Sequence, residues 1–277
     1  MQEQIKEFYE NYNEDGRLTR HGLEFARSKE IISRYLIKDE MKIADIGGAS
    51  GVYSFWLASL GHNVHLLDLT PKHIEQAKAK AESTGVRLSE YLCADARQLP
   101  FENESFDLVL EMGPLYHLQS RDDRIAVLRE SHRVLRKGCP VICAVISRYA
   151  SMIDGFKFAL AKDKEFREIL ANDVVTGCHN NPKNIPNYFT TAYLHLPSEI
   201  KDELEESGFS NIELIAVEGF ANALNTDELF RDQDIAPYLL EYLRKTESAP
   251  ELIGISGHII AVGRKSDGLT MITRMLP

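Results

Sequence analysis

The chain alternates short apolar segments with amphipathic ones, and this alternation constrains the fold more than any other feature. Strands that alternate with helices predict a parallel sheet with helices on both faces. The predicted strands lie at about 42–46, 63–68, 88–93, 106–111, 140–147, 211–218 and 256–264. Helices are predicted at about 3–15, 22–36, 52–60, 71–83, 121–135 and 197–207.

The first predicted strand runs into a glycine-rich turn. Asp45 closes the strand, Gly47 and Gly51 follow, and a helix is expected to start near Val52. Glycine lets the backbone take positive φ and approach a ligand closely, and the first N–H groups of a helix point at whatever lies over the turn. The second predicted strand ends in Asp68, whose carboxylate can accept hydrogen bonds from both hydroxyls of a ribose. The pattern predicts a nucleotide-like ligand at this end of the strands.

The spacing of the glycines separates two kinds of nucleotide site. A dinucleotide site with the pattern G-x-G-x-x-G, aligned on Gly47, needs glycines where this chain has Ala49 and Val52. The spacing acidic-x-G-x-x-x-G fits Asp45, Gly47 and Gly51 instead. With Ala49 in place of a middle glycine, this run resembles the first motif of the class I S-adenosylmethionine (SAM)-dependent methyltransferases.

The resemblance continues through about residues 40 to 147. The matching segments are Asp68, the pair Asp95-Ala96 after the third strand, the fourth strand at 106–111 with the segment 112–118, and the turn at 134–140. The family implies an α/β, Rossmann-like sheet of seven strands in the order 3-2-1-4-5-7-6. Its last strand is antiparallel, helices cover both faces, and a helical lid is expected. The cofactor implied is SAM.

The resemblance also implies a set of cofactor contacts. Asp45 is expected to order the loop and meet the amino group of SAM, Gly47 and Gly51 to allow close approach, and Asp68 to hold the ribose. The other expected contacts are Leu69 beside the adenine, Asp95 and Ala96 at the adenine edge, and Glu111 and Gly113 below the sulfonium. The alternative for each carboxylate is a solvated strand end or a helix cap, which Asp68 could form through Thr70-Pro71.

The N-terminal segment is expected to cover the site. Tyr12 and Arg17 are predicted cofactor contacts, His21 a predicted acceptor contact and Tyr9 a further lid residue. The tyrosines can cover SAM, and the arginine can pair with its carboxylate. The alternative is an amphipathic helix that uses its aromatic residues for packing.

A sulfonium is already activated, so approach in line and exclusion of water provide much of the acceleration of methyl transfer. A base is needed only for an acceptor that carries a proton. His117 follows the fourth strand and is the candidate base, with Tyr116, Tyr188 and Tyr193 as candidate acceptor contacts. The alternatives are a structural histidine and ordinary packing of β-prone residues at a sheet edge.

One domain is predicted over 1–277, with an N-terminal helical cap at 1–38. Two segments exceed the minimal fold: 148–196, expected to be a lid or substrate segment, and a second insertion at 219–250. Extra helices packed on the sheet edge are the alternative for both.

Net charge and composition disfavour some classes of binding partner. The net charge of −10 and the absence of a long basic run argue against nucleic acid and membranes. No signal peptide or transmembrane stretch is apparent, so a cytoplasmic location is expected. The four cysteines form no C-x-x-C pair, so no metal site or disulfide is expected, and Cys178 is the cysteine expected to be exposed.

These observations predict methyl transfer to an oxygen, nitrogen or sulfur atom of a small molecule by a monomer or homodimer. A non-catalytic SAM-binding regulatory protein and a methyltransferase acting on RNA or protein are the alternatives.

Overall fold

Strands and helices alternate in the structure as predicted. The computed structural model describes residues 22–183, 185 and 188–266. The strands are β1 (Lys42–Ile46), β2 (Asn63–Asp68), β3 (Glu90–Cys93), β4 (Leu108–Glu111), β5 (Pro140–Ser147), β6 (Cys178–His179), β7 (Ala192–His195), β8 (Phe209–Ala216) and β9 (His258–Lys265). The α-helices are α1 (Gly22–Ser33), α2 (Val52–Ser59), α3 (Pro71–Thr84), α4 (Pro114–His117), α5 (Arg121–Val134), α6 (Ala150–Lys157), α7 (Lys164–Thr176), α8 (Pro197–Glu206), α9 (Thr226–Arg231), α10 (Ala236–Thr246) and α11 (Pro250–Ile253).

The main sheet has the order β3-β2-β1-β4-β5-β9-β8. Strands β1 to β5 are parallel, and β9 runs antiparallel to both β5 and β8. Because β8 and β9 are the sixth and seventh predicted strands, the predicted order and the antiparallel last strand are confirmed. The loops after β1, β2, β4 and β5 therefore meet at one edge, here called the carboxyl edge, where ligands bind in open α/β sheets.

Two apolar layers cover the sheet because its central strands are buried on both faces. Alternate residues of β4 enter different layers: Leu108 and Leu110 pack with α1, α2 and α3, whereas Val109 packs with α5 and α8. Local signals fix the helix ends. Ser120 caps α5 by accepting from the Asp123 N–H, and Gly85 ends α3 with a φ of 74°.

The insertion at 148–196 contains two helices and two short strands that the sequence analysis did not predict. Strand β7 pairs in parallel with the last two residues of β5, through Ile146–Leu194 and Ser147–His195. Strand β6 pairs antiparallel with β7 through Cys178–Tyr193 and His179–Ala192, forming the β6–β7 pair. The insertion thus extends the carboxyl edge beside β5.

The second insertion, at 219–250, packs against the first described helix. Leu23 of α1 shares a buried cluster with Ala221, Leu239 and Leu243. Arg27 of α1 and Arg34, which directly follows the helix, both pair with Glu247. The described part of the predicted N-terminal cap is therefore joined to the second insertion.

Small differences from the sequence-based boundaries have physical causes. Strand β8 begins at Phe209 rather than near 211, and its pairing with β9 is irregular between Ser210 and Glu213. Asn211 lies there with a φ of 50°, which is a bulge conformation. The four thiols are free, and the prediction for Cys178 is wrong: Cys93 at the end of an edge strand is exposed, while Cys178 is half-buried in β6. Each described helix is too short or too polar to cross a bilayer.

Candidate functional site

The glycine loop after β1 touches the loop after β4. A Cβ on Gly47 would lie 2.6 Å from Pro114 Cδ, and one on Gly113 would lie 2.9 Å from the Gly47 carbonyl oxygen. Gly47 and Gly51 have φ values of 68° and 84°, so both need the left-handed conformation that favours glycine. Ala49 also has a positive φ, of 49°, a conformation that favours the middle glycine of the motif that this run resembles. Glycine at these positions lets the two loops lie close together, and the close approach of Gly47 and Gly51 to a ligand stays a prediction.

Asp45 is wholly buried beneath the loop, on the α2 face of the sheet. Ser54 Oγ donates to its Oδ2 at 2.6 Å, while Oδ1 is buried without a hydrogen-bond partner among the described residues. Burial, with a smaller contribution from the charge of Asp68, raises the pKa of Asp45 to about 6. A carboxylate oxygen without a donor fits an ammonium group bound over the loop.

Asp68 lies at the end of β2 and is held by three donors. Its Oδ2 accepts from the Ala49 N–H at 2.9 Å, and its Oδ1 accepts from the Thr70 N–H at 2.8 Å. His73 Nδ1 lies 3.1 Å from the same Oδ1. Since a carboxylate oxygen accepts about two hydrogen bonds, Oδ2 keeps room for a ribose hydroxyl. The hydrogen bond from the Thr70 N–H also fits the alternative that Asp68 caps the following helix. The contacts are therefore compatible both with ribose binding and with helix capping by Asp68.

The loop after β3 differs from the expected adenine site. Asp95 forms a bidentate pair with Arg97, whose NH2 lies 2.7 Å from Asp95 Oδ2. Arg97 also reaches Asp123 of α5 at 2.8 Å. Ala96, between Asp95 and Arg97, and Leu69, directly after β2, are half-buried. The contacts of Asp95, Ala96 and Leu69 with adenine stay predictions. To bind the adenine amine, Asp95 would have to accept that hydrogen bond in addition to those from Arg97.

Glu111 is wholly buried at the end of β4, on the opposite face from Asp45. Its Oε1 accepts a short hydrogen bond from Ser131 of α5, and Oε2 has no partner among the described residues. Burial raises the pKa of Glu111 to about 8, so the side chain is protonated near neutral pH. The Glu111 side chain packs against α5 rather than along the loop. Its position below the sulfonium stays a prediction, which these contacts do not support.

Tyr116 and His117 follow β4 on the short helix α4. Their rings meet edge to face with centroids 4.6 Å apart, and Tyr116 Oη donates to the Met112 carbonyl at 3.1 Å. Phe189 from the insertion stacks on His117, with centroids 5.9 Å apart and an angle of 29°. His117 therefore lies where the loop after β4 meets the insertion, and its role as a base stays a prediction.

The two other candidate acceptor contacts have packing partners. Tyr188 is buried against Phe166 of α7, with ring centroids 4.9 Å apart. The Arg124 guanidinium lies 3.7 Å from the ring centroid of Tyr193, and Arg148 NH2 lies 3.4 Å from Tyr193 Oη. These contacts favour the edge-packing alternative, and contact with an acceptor stays a prediction for both tyrosines. Tyr9, Tyr12, Arg17 and His21 lie outside the described residues.

A buried ion pair beside the insertion, with a histidine of the insertion against it, was not predicted from the sequence. Arg124 of α5 pairs with Glu203 of α8 at 2.6 Å, both wholly buried, and donates to the Leu118 carbonyl at 2.8 Å. His195 of β7 lies 3.4 Å from Glu203. Arg124 and Glu203 are 79 residues apart in the chain, so no motif spacing indicates their pairing. Ser54, by contrast, lies three residues after Gly51 of the predicted glycine motif and could have been found as a donor on the following helix.

One group of described residues could hold a cation by geometry alone. Ligand atoms of Glu24, Glu218 and His258 lie within 4.8 Å of one another at the carboxyl edge. Burial opposes ionisation of Glu218, but His258 lowers its pKa to about 2. The Glu218 carboxylate already accepts from Ser256 Oγ at 3.0 Å and from the His258 N–H at 2.8 Å. The arrangement is that of a buried ion pair, which links β8, β9 and α1.

Comparison with known proteins agrees with this geometry. Residues 44–143 match the family described as Methyltransferase domain. A ubiquinone biosynthesis O-methyltransferase of Cereibacter sphaeroides is 32% identical over 108 residues, which are 39% of this chain and 42% of that protein. A protein of the same description from Ruegeria pomeroyi is 27% identical over 201 residues, covering 71% of this chain and 70% of that protein.

A solved structure extends the likeness of the fold to nearly the whole chain. A SAM-dependent methyltransferase of Thermotoga maritima, described as a possible histamine N-methyltransferase, has a TM-score of 0.59 at 18% identity, covering 96% of this chain and 100% of that one. The chain spans less than half the length of the Cereibacter relative that it matches. The matched segment holds β1 to β4 and the carboxylates at their ends, in the strand order described above. Residues 44–143 therefore form a methyltransferase domain, and the chain has the fold of SAM-dependent methyltransferases.

Proposed function

We propose that the protein transfers a methyl group from SAM to an oxygen, nitrogen or sulfur atom of a small-molecule acceptor. The observation that carries the proposal is the pair of strand-end carboxylates that meet the glycine loop from two sides. A Cβ on Gly48 would lie 2.5 Å from Asp45 Oδ2, and the neighbouring Ala49 N–H donates to Asp68 at 2.9 Å. One short loop therefore faces a carboxyl for an ammonium group and a carboxylate for a ribose.

The residues at 45–51, 68–70 and 111–114, here called the cofactor cradle, would hold SAM. In this proposal Asp45 pairs with the amino group, Asp68 binds the ribose, and Gly47 and Gly113 keep Cβ atoms out of the cradle. When bound, SAM supplies an activated methyl group on a sulfonium. The work left to the protein is to bind, to orient the acceptor and to exclude water.

His117 is the proposed base for an acceptor that carries a proton. It is the last residue of α4 and its ring lies between those of Tyr116 and Phe189, where an acceptor would approach the cradle. An imidazole can accept a proton near neutral pH. The names of the Cereibacter and Ruegeria relatives favour a hydroxyl on an aromatic ring as the first acceptor class to test.

A screen of acceptors tests the proposal. The protein is incubated with SAM and with panels of phenols and hydroquinones, amines and thiols. Formation of S-adenosylhomocysteine (SAH) is measured together with a mass increase of one methyl group on the acceptor. We expect product from one panel, loss of product in Asp68→Asn, and unchanged product in Asp202→Asn, an exposed position on α8.

The alternatives predict different results. SAM binding without product from any panel would contradict small-molecule methylation and favour a non-catalytic SAM-binding regulator. Methyl incorporation into added RNA or protein, without product from the panels, would favour a macromolecular acceptor.

A further inference from the structure

The Gln119 side chain joins the loop after β4 to both strands of the β6–β7 pair. Its Nε2 lies 3.0 Å from the His179 carbonyl, 3.1 Å from the Ala192 carbonyl and 3.0 Å from Asn180 Oδ1. His179 and Ala192 are directly paired across the two strands. A primary amide has two N–H groups, so both are engaged by these three oxygens. One side chain therefore fixes the place of the β6–β7 pair relative to α4.

The ring of His179 continues the connection to Phe189. Its Nδ1 lies 2.7 Å from Asp173 Oδ2, and its Nε2 lies 3.3 Å from the Phe189 carbonyl oxygen. Both His179 and Asp173 are buried. Both ring nitrogens therefore face oxygen atoms of the insertion. The backbone of Phe189 is thereby tied to β6 and α7.

The Phe189 side chain closes a circuit of contacts. It stacks on His117, which lies two residues before Gln119 in the chain. The circuit runs from Gln119 to the β6–β7 pair, through the His179 ring to Phe189, and back to His117. Arg124 holds the same loop from the other side, donating to the Gln119 carbonyl at 3.0 Å. No described residue of the cofactor cradle is part of this circuit.

We propose that Gln119 is a positioning residue, which keeps Phe189 stacked on His117 by holding the β6–β7 pair against the loop after β4. The importance of the His117 ring to an acceptor rests on the proposed function above. The placement of that ring by Gln119 does not, since it follows from contacts within the chain. The insertion accordingly forms a fixed wall beside His117 on its β6–β7 side.

NMR of histidine rings tests the proposal directly. The protein is labelled with ¹³C-histidine, and the ring signal of His117 is assigned by its loss in His117→Gln. Phe189→Leu removes the stacked ring and gives the reference position of an unstacked His117. We expect Gln119→Leu, which has no donor, to move the signal most of the way to that reference.

Three further variants separate positioning from general damage. Gln119→Lys keeps N–H donors and is expected to retain the wild-type signal. Gln119→Asn keeps the amide on a shorter side chain and is expected to move the signal part of the way, which keeps the test available if Gln119→Leu does not fold. Gln76→Leu, at an exposed position on α3, is the matched control and should leave the signal unchanged.

A wild-type His117 signal in Gln119→Leu or Gln119→Asn would overturn the proposal, as would a signal that does not respond to Phe189→Leu. Calorimetric titration with SAH on the same samples separates this outcome from failure of the proposed function. Wild-type protein that does not bind SAH contradicts the proposed function, while the ring signals still decide whether Gln119 positions His117. We expect Gln119→Leu to bind SAH as the wild type does.

Discussion

The cofactor cradle and the insertion at 148–196 border the same edge of the sheet but are held by different kinds of contact. In the cradle, Asp45 and its donor Ser54 are 9 residues apart, and Asp68 and Ala49 are 19 apart. Gln119 reaches His179 of the insertion across 60 residues, and Arg124 reaches Glu203, which contacts His195 of the insertion, across 79. The cradle is therefore a local structure that short motifs encode, while the insertion depends on partners that only the completed fold brings together.

The largest effect is expected where the long-range contacts are buried. Arg124→Met leaves the Glu203 carboxylate buried without its guanidinium, which costs about 3–5 kcal/mol of unfolding free energy. Urea unfolding measures this cost. Arg121→Met, which breaks the exposed pair with Glu206 on the same two helices, is the control and should change stability little. The double variant Arg124→Met with Glu203→Leu should recover most of the lost unfolding free energy. Equal losses in Arg124→Met and Arg121→Met would contradict the larger effect expected for the buried pair.

The cradle is expected to respond to pH through Glu111. Burial raises its pKa from the ordinary 4.5 to about 8, so the folded chain holds the proton more tightly than the unfolded chain does. Stability of the wild type should therefore fall, relative to Glu111→Gln, as the pH rises from about 4.5 to about 8. Urea unfolding at pH 5, 6.5 and 8 measures the gap between the two proteins. A gap that is constant over this range would show that Glu111 ionises normally.

A smaller effect is expected on cofactor affinity. Since the pKa of Asp45 is about 6, acidification neutralises the carboxylate proposed to pair with the SAM amino group. SAM should bind about tenfold more weakly at pH 5 than at pH 7 by calorimetry. Ser54→Ala removes the donor that stabilises ionised Asp45 and should shift the transition to higher pH. Ser59→Ala is the control on the same helix, because the Ser59 hydroxyl donates to the Trp56 carbonyl, and it should not shift the transition. Identical curves of SAM affinity against pH for the two variants would exclude this role of Asp45.

The smallest effect concerns the one departure from the glycine motif. Ala49 holds a φ of 49°, so Ala49→Gly relieves backbone strain while adding freedom to the unfolded chain. The opposing effects leave a net gain of about 0.5 kcal/mol or less in unfolding free energy. Thermal unfolding measures it, with Glu104→Gly at a φ of 51° outside the cradle as the control. Destabilisation by Ala49→Gly, with no loss in the control, would show that the Ala49 methyl group packs in the loop.

Most of the sheet could be predicted from the sequence because its strands are apolar on both faces and glycines or prolines mark the turns. Asp45, Asp68 and the glycine loop could be located for the same reason, since a strand, a carboxylate and a tight turn follow one another directly. The strand order was taken from a family resemblance, because periodicity does not show which strands are neighbours.

The residues that would contact the acceptor could not be predicted as fully as the residues of the cofactor cradle. Tyr188 and Tyr193 are aromatic residues in a β-prone stretch, and that pattern is the same for a pocket and for a packed edge. Their neighbours Phe166 and Arg124 lie in other elements of the fold. Likewise Glu111 is the last residue of β4 whereas Asp45 is the last but one of β1, and strand alternation turns the two side chains to opposite faces of the sheet.

The most direct test of the account is calorimetric titration with SAH of the wild type, Asp68→Asn and Asp202→Asn. Asp68 is held toward the glycine loop by backbone donors, and its hydrogen bond to the ribose is the central claim. We predict binding by the wild type and by Asp202→Asn, with affinity about 10–100-fold weaker in Asp68→Asn, which corresponds to the loss of a hydrogen bond to a charged group. Equal affinity in all three folded proteins would contradict the assignment of the cofactor cradle.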